Sequence, residues 1–416
     1  MADWSELPKE LLDLIAKRLD SPFYQLRFRS VCSSWRSSFP SRPRRPLPGR
    51  FPFLPYSGIA DATWGFHLSR RTVFLIGFSD PGFQTVRRES SWLVKVEEVQ
   101  PGRMRLLNPL SRFLLNPLPT SFPKEMNLLD LKVLELGQEY VLHYMNFQPF
   151  RDSLGDVGNL YMEKVVFMCL GSEETDEDFA LLTIHVSGKL AMLKSEDKRW
   201  TIIHDMPYPY DDVVLFRGDF YAVDCTGRTV AVGLSLTLSL VAEPVFGGDK
   251  KFLVESDGEL LLVDMYLSIE DVGVGDGDGD EVADEVCDEY VGERTVRFKV
   301  FGLDSEEKRW VEVKSLGDRV LFLGDDCAFS VSASELSSSF TKRNCVLFAD
   351  NFFSMSGDEG ASGGDDVFKR WRVGVFDLDK GTIALLDDFP EYSKLFWPPD
   401  WAAATTLAVK YHSLQQ

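Results

Sequence analysis

Basic residues are scarce in this chain. Against 65 Asp and Glu stand 45 Lys and Arg, and with only five His the 416 residues carry a formal charge of −20. Nucleic-acid and anionic-membrane binders need basic patches, so neither class of partner is expected. Cys32, Cys169, Cys225, Cys287, Cys327 and Cys345 form no Cys-x-x-Cys pair and have no His at ligand spacing, so no metal site is expected. The thiols are expected to be free, in a reducing compartment. None of the seven asparagines opens an Asn-x-Ser/Thr acceptor, and Met1-Ala2-Asp3-Trp4 lacks the basic and apolar regions of a signal peptide. No uncharged stretch reaches the ~18 residues that span a bilayer. Residues 229–242 come nearest, but Val230, Val232, Leu234, Leu236, Leu238 and Leu240 alternate with small or polar residues, which is a β pattern. A soluble protein of the nucleus and/or cytoplasm is expected.

Catalytic signatures are missing as well. The chain's one Gly-x-Ser-x-Gly spacing, Gly360 to Gly364, falls in a Gly/Asp-rich loop at 357–366 rather than in a strand-to-helix elbow, there is no phosphate loop, and the five histidines (His67, His143, His185, His204, His412) show no Ser or Cys partner pattern. Asp211-Asp212, Asp325-Asp326 and Asp387-Asp388 are adjacent pairs. Neighbours on a strand point to opposite faces, so these suit turn caps better than a catalytic carboxylate pair. Residues 271–293 hold ten acidic residues and no basic one. Asp276, Asp278 and Asp280 match the first offsets of a calcium loop, but Glu281 stands where glycine is needed and Cys287 where glutamate is needed. That stretch reads as a solvated acidic insert. Neither an enzyme nor a cofactor is expected.

What the chain does have begins at its N-terminus. Leu11, Ile15 and Leu19 recur every four residues, with Leu12 beside them, predicting a helix that Pro8 can open. Ser21-Pro22 repeats the start signal for a second helix carrying Phe23, Leu26, Phe28 and Val31, and residues 32–39 supply a third short turn ending at Pro40. Three helices in about 35 residues cannot bury much core, and units below ~40 residues usually need a partner. A cluster this rich in Leu, Phe and Trp therefore suggests a docking surface. The stretch resembles an F-box, the module that plugs a substrate receptor into the Skp adaptor of a cullin–RING ubiquitin ligase. The resemblance rests on Leu7, Pro8, Leu11, Ile15, Leu19, Arg27, Phe28, Arg29, Val31, Cys32, Trp35 and Arg36. It implies adaptor docking by Leu7, Pro8, Leu11, Ile15, Leu19, Phe28, Val31, Cys32 and Trp35, with Arg29 and Arg36 as polar support. The other reading is a helical hairpin packed on its own domain.

Boundaries follow from composition: an F-box over 1–39, a Pro/Arg-rich linker over 40–56, a β domain over 57–401 and a tail over 402–416. Six prolines between residues 40 and 55 favour an extended, semi-rigid spacer. Beyond it, strands are predicted at 72–78, 92–96, 165–170, 181–186, 213–216 and 260–263, with tight turns at Ser187-Gly188, Gly218-Asp219, Gly227-Arg228 and Asp257-Gly258. Apolar runs ending at Asp224, Asp264 and Asp304 recur every 40 residues, although the acidic insert inside the second interval makes that equality partly fortuitous. Lys-Arg-Trp recurs at 198–200, 308–310 and 369–371, where the tryptophans suit packing between blades. Leu-Leu-Asn-Pro-Leu occurs twice, at 106–110 and 114–118. A β-propeller of about six to eight blades accounts for this spacing, with a pair of β-sandwiches as the competitor.

Much of residues 50–401 is similar to plant F-box proteins of the Skp-interacting-partner-like type, whose C-terminal part is a plant-specific β-propeller. The carrying runs are Ser91-Trp92-Leu93-Val94, Leu106 to Leu110, Tyr210 to Val214, Gly218 to Asp224, Leu316 to Gly324, Asn344 to Asp350 and Phe396 to Trp401. The resemblance implies the substrate-recognition subunit of an SCF ubiquitin ligase, the F-box holding the Skp adaptor and the propeller a protein client. The alternative is a ligase-independent scaffold or inhibitor of a signalling or transcription partner.

Overall fold

A computed structural model describes residues 4–16, 18–19, 22–38, 51–52, 66–78, 91–100, 103–112, 114–115, 131–144, 162–170, 178–204, 207–271, 291–336, 342–349 and 373–397. Its first part is helical: a 3-10 turn at Trp4–Glu6, then α1 (Lys9–Ala16), α2 (Pro22–Ser30) and α3 (Ser33–Ser38). The amides of Leu11 and Leu12 both donate to the Pro8 carbonyl, so the proline closes the first turn from outside. Leu12, Ala16 and Phe28 form a small core, with Leu7, Leu19 and Trp35 packed against it.

Every other long element is a strand. The first four are β1 (Phe66–Phe78), β2 (Trp92–Gln100), β3 (Arg103–Leu107) and β4 (Leu131–Tyr144), in the spatial order β3-β2-β1-β4. They continue into β5 (Met162–Cys169), β6 (Phe179–Ile184), β7 (Leu190–Lys194) and β8 (Thr201–Ile202), because β4 also pairs with β5. A third group holds β9 (Tyr210–Phe216), β10 (Asp219–Asp224), β11 (Thr229–Val232) and β12 (Leu238–Ala242). A fourth holds β13 (Lys250–Ser256), β14 (Glu259–Asp271), β15 (Val291–Asp304) and β16 (Arg309–Glu312). The fifth group runs β18-β17-β19-β20-β21, from β17 (Arg319–Leu323), β18 (Ala328–Ser332), β19 (Cys345–Ala349), β20 (Val373–Asp377) and β21 (Thr382–Leu385).

These five groups close a ring. β5 and β6 pack on β9, β9 and β10 on β13, β13 on β17 and β18, and β18 on β4, which pairs with β5. The apolar clusters lie between neighbours: one joins the second and third groups, another the third and fourth, another the fourth and fifth. A further cluster joins the fifth group to the first and takes in Tyr392, Leu395 and Phe396 of the C-terminal helical stretch. A sheet sandwiched on both sides buries both faces, so its strands read as continuous apolar runs; all five residues of β20 are buried. This is the radial architecture expected from the spacing. Among the described residues it amounts to five groups, four of four strands and one of five, against the six to eight blades that blade-length arithmetic suggests. β1, β4, β14 and β15 are 13 or 14 residues long and consume more chain per group.

Several local expectations meet their structure here. Asp257 and Gly258 both have positive φ (56° and 76°), the geometry of a two-residue hairpin turn between β13 and β14. The turn before β10 is Arg217-Gly218, with Asp219 already in the strand. Residues 229–242 are a hairpin, β11 and β12, and no helix is long and apolar enough to cross a membrane. The duplicated Leu-Leu segments come side by side: Leu107 bridges Leu114, and the Leu115 amide donates to the Leu106 carbonyl. The 40-residue spacing joins unequal places, because Asp224 ends β10, Asp264 lies inside β14 and Asp304 ends β15.

The linker reading needs correction at its far end. Phe51 bridges Phe66 and is 3% exposed, within the cluster that joins the first two groups. The Trp200 indole N–H donates to the Pro52 carbonyl at 2.8 Å. Proline density constrains backbone shape and says nothing about burial, so composition placed the β domain's edge at residue 57 while its packing reaches back to 51. Residues 39–50, 272–290 and 398–416 lie outside the described set, as do Cys287, Trp371 and His412.

Candidate functional site

The helical unit divides its apolar residues between two tasks. Phe28 and Trp35 stack at 4.6 Å between ring centroids, and the Trp35 indole donates to the Trp4 carbonyl at 2.9 Å. Arg36 donates to the Arg29 carbonyl at 3.3 Å, tying α3 to α2. Of the predicted docking residues, Leu7, Leu19, Phe28 and Trp35 therefore hold the unit together, and Arg29 and Cys32 are half-buried. Pro8, Val31 and Arg36 are exposed, and so is one face of α1: Leu11 is 46% exposed and Ile15 38%. Leu14 at 59% and Trp4 at 64% extend that surface. Sequence reading missed both, since Leu14 falls between the four-residue repeats; the run Leu11-Leu12-x-Leu14-Ile15 was the signal, too apolar all round for a helix with one buried face.

The β domain concentrates buried charges where its fifth group meets its first. Register places Glu97 opposite Arg71 on one side and Glu139 opposite it on the other, three strands in a row. The Arg71 guanidinium reaches Glu97 at 3.1 Å, Glu139 at 3.4 Å and Asp326 at 3.6 Å. Lys95 meets Glu139 at 2.9 Å, and Arg112 grips Asp326 through two bonds, 2.6 and 2.8 Å. Three cations thus neutralise three carboxylates inside the protein, where an unpaired charge would cost several kcal/mol. Burial opposes the charge of Glu97, but hydrogen bonds from His143 and Ser69 and the Arg71 charge outweigh it and hold its pKa below the usual carboxylate range. Asp326 belongs to the β17–β18 turn, so this network fastens the fifth group to the first. The Asp325 amide donates to the Leu110 carbonyl at 2.9 Å and completes the clasp.

Asp212 does the same between other groups, accepting from Lys164 on β5 at 2.5 Å and from the Leu253 amide on β13 at 2.9 Å. Two of the three Asp-Asp pairs are therefore clamps between sheets, where the sequence suggested turn caps. Asp388 alone caps locally, accepting from the Leu385 amide. The signal available for the network was a charged residue inside an apolar run, as at Lys95 in Trp92-Leu93-Val94-Lys95-Val96. Two of the three recurring tryptophans, Trp200 and Trp310, are described and pack between groups, and Trp310 donates to the Gly227 carbonyl at 3.1 Å.

At one mouth of the ring axis is a cavity of about 140 Å³. Arg112, Lys164, Asp211, Asp212, Lys250 and Asp325 line it, drawn from all five groups. Among the described residues no cluster of three or more His, Cys, Asp or Glu could hold a metal ion. Burial pushes the Cys327 thiol up to about 12 and the Cys345 thiol to about 11, which leaves both protonated and poor nucleophiles.

Comparison with known proteins gives these two parts their names. Residues 65–377 match the model of the KIB1-4 beta-propeller, and residues 4–46 match that of the F-box domain. The chain is 48% identical to F-box protein SKIP23 of Arabidopsis thaliana, over 96% of this chain and 95% of that one. It is 37% identical to F-box protein At2g17036 of the same plant, over 96% and 94%, and 29% identical to F-box/kelch-repeat protein At1g64840, over 81% of each. F-box proteins are non-catalytic components of ubiquitin ligases, in line with the missing catalytic signatures. The chain belongs to the F-box proteins that carry a KIB1-4 beta-propeller.

Proposed function

We propose that this chain is the substrate-recognition subunit of an SCF-type ubiquitin ligase, acting in the nucleus and/or cytoplasm. The observation that carries the reading is the exposed apolar face of α1 and its surroundings, Trp4, Pro8, Leu11, Leu14, Ile15 and Val31, on a helical unit whose described residues include three buried apolar ones. Exposed apolar surface on so small a unit is covered by a partner, and the F-box match supports a Skp-type adaptor in that role. Leu7, Leu19, Phe28 and Trp35 shape the surface from behind, and Arg29, Cys32 and Arg36 border it.

The chemistry is positional. Holding the adaptor at one end and a client at the other raises the client's effective concentration at the ubiquitin-charged enzyme and orients its lysines. No step requires a nucleophile or general base from this chain. The test is to express the full-length chain with and without proteasome inhibitor and identify proteins that co-purify with it. Clients that accumulate on inhibition, and are ubiquitinated in a reconstituted adaptor–cullin–RING assembly containing the chain, support the reading. Partners whose abundance and ubiquitination are indifferent to both treatments overturn it in favour of a ligase-independent scaffold.

A further inference from the structure

The axial cavity has its charges unevenly committed. Arg112 is held by Asp326 and Lys164 by Asp212. Among the described residues Asp211 and Asp325 have no ion pair: Asp211 accepts the Lys251 amide at 2.9 Å, and Asp325 accepts the Arg112 amide at 3.2 Å. Among the described residues the cation that lines the cavity without an ion pair is Lys250, which is exposed and sits 5.0 Å above the Phe252 ring. Asp211 is half-buried and Asp325 opens to solvent; nearby protein atoms raise the pKa of Asp211 to about 6, and protein atoms together with the Asp326 charge raise that of Asp325, so each would gain from a positive partner. A phosphate or carboxylate group would first have to displace Asp326 or Asp212 from buried pairs. At about 140 Å³ the cavity is smaller than the usual small-molecule site and suits the head of one long side chain.

The rim around the cavity is apolar. β5, β9, β13 and β18 all begin here, so the described connections entering β9, β13 and β18, and those leaving β6 and β10, lie about the mouth. Val186, Tyr208, Phe246 and Ile269 are exposed on or beside these connections. Residues 272–290, between β14 and β15 in sequence, hold eight acidic residues and no basic one. An apolar rim around a cavity that holds two carboxylates without ion pairs attracts a basic protein segment.

We propose that the cavity takes a lysine or arginine side chain of a client segment, held between Asp211 and Asp325, while the apolar rim covers the residues beside it. This rests on the reading of the propeller as the client-binding part, and it names the chemistry of that client.

The test pans a random-peptide display library against the tagged full-length chain, with capture of a Skp-type adaptor by the same preparation measured in parallel. The expected result is a family of peptides sharing one Lys or Arg position. Replacing an arginine there by its neutral analogue citrulline, or the protein's Asp325→Asn or Asp211→Asn, should weaken binding about tenfold, the loss of one charge-assisted contact. Lys250→Gln should strengthen it, a gain that misfolding cannot mimic. Peptides without a shared basic position, acidic or phosphorylated peptides, no enrichment, or affinities unmoved by these variants would overturn the proposal. Adaptor capture that persists in those cases leaves the ligase reading standing, and its loss would count against that reading separately.

Discussion

Asp326→Ala is the sharpest test of how the ring closes. The carboxylate is fully buried, takes two bonds from Arg112 at 2.6 and 2.8 Å, and lies 3.6 Å from Arg71. Alanine leaves the Arg112 guanidinium without its carboxylate and removes one of three countercharges around Arg71. Breaking a buried pair by deleting one partner costs about 3–5 kcal/mol. Equilibrium urea unfolding, followed by emission of the buried Trp92, Trp200 and Trp310, measures the loss. Arg112→Ala alone should cost a similar amount, and the double mutant clearly less than the sum, because the second deletion removes the charge the first left stranded. Replacing both by apolar residues, Arg112→Met with Asp326→Leu, should cost less than Asp326→Ala. A loss below about 1 kcal/mol for Asp326→Ala, or strict additivity in the cycle, would refute the claim that this pair closes the ring.

Other outcomes follow from single residues. Asp211 has its folded pKa raised to about 6, above the unfolded value near 4, by burial. Its contribution to stability is greatest below the unfolded pKa and is lost as pH rises through about 6, so Asp211→Asn should raise Tm at pH 7.5 and lose that advantage near pH 4. Phe28→Ala removes a buried ring whose loss costs about 3–5 kcal/mol, more than so small a unit holds. Limited proteolysis should then release the N-terminal segment while the propeller survives. Gly374→Ala places a methyl group against the Phe348 ring inside β20 and should cost about 1–3 kcal/mol in urea unfolding. A silent Gly374→Ala would mean that β19 and β20 lie farther apart than described.

How much of this was legible in the sequence depends on the range of each interaction. Local signals transferred well: Pro22 does open α2, and Asp257-Gly258 does turn β13 into β14, because caps and tight turns are decided within four residues. Phe51 did not transfer, since its burial is settled by Leu68, Leu142 and Leu181, far along the chain. The axial network was invisible for the same reason, joining Arg71 to Asp326 across most of the β domain. Periodicity misled where spacing coincided without equivalence, as at Asp264 and Asp304. On the helical unit the apolar residues were found, but which of them face outward was not: Leu12 and Leu11 are adjacent, and only packing against Phe28 buries the first and leaves the second open.

The measurement that bears most directly on the central claim is co-purification of a Skp-type adaptor with the full-length chain, wild type against Leu11→Asp with Ile15→Asp. Both side chains are exposed, so the pair should leave the helical unit and the propeller folded, checked by unchanged thermal unfolding. The account predicts that wild type retains the adaptor and the double variant loses it. Equal retention by both, or retention by neither, would contradict the assignment of this face as the adaptor-docking surface.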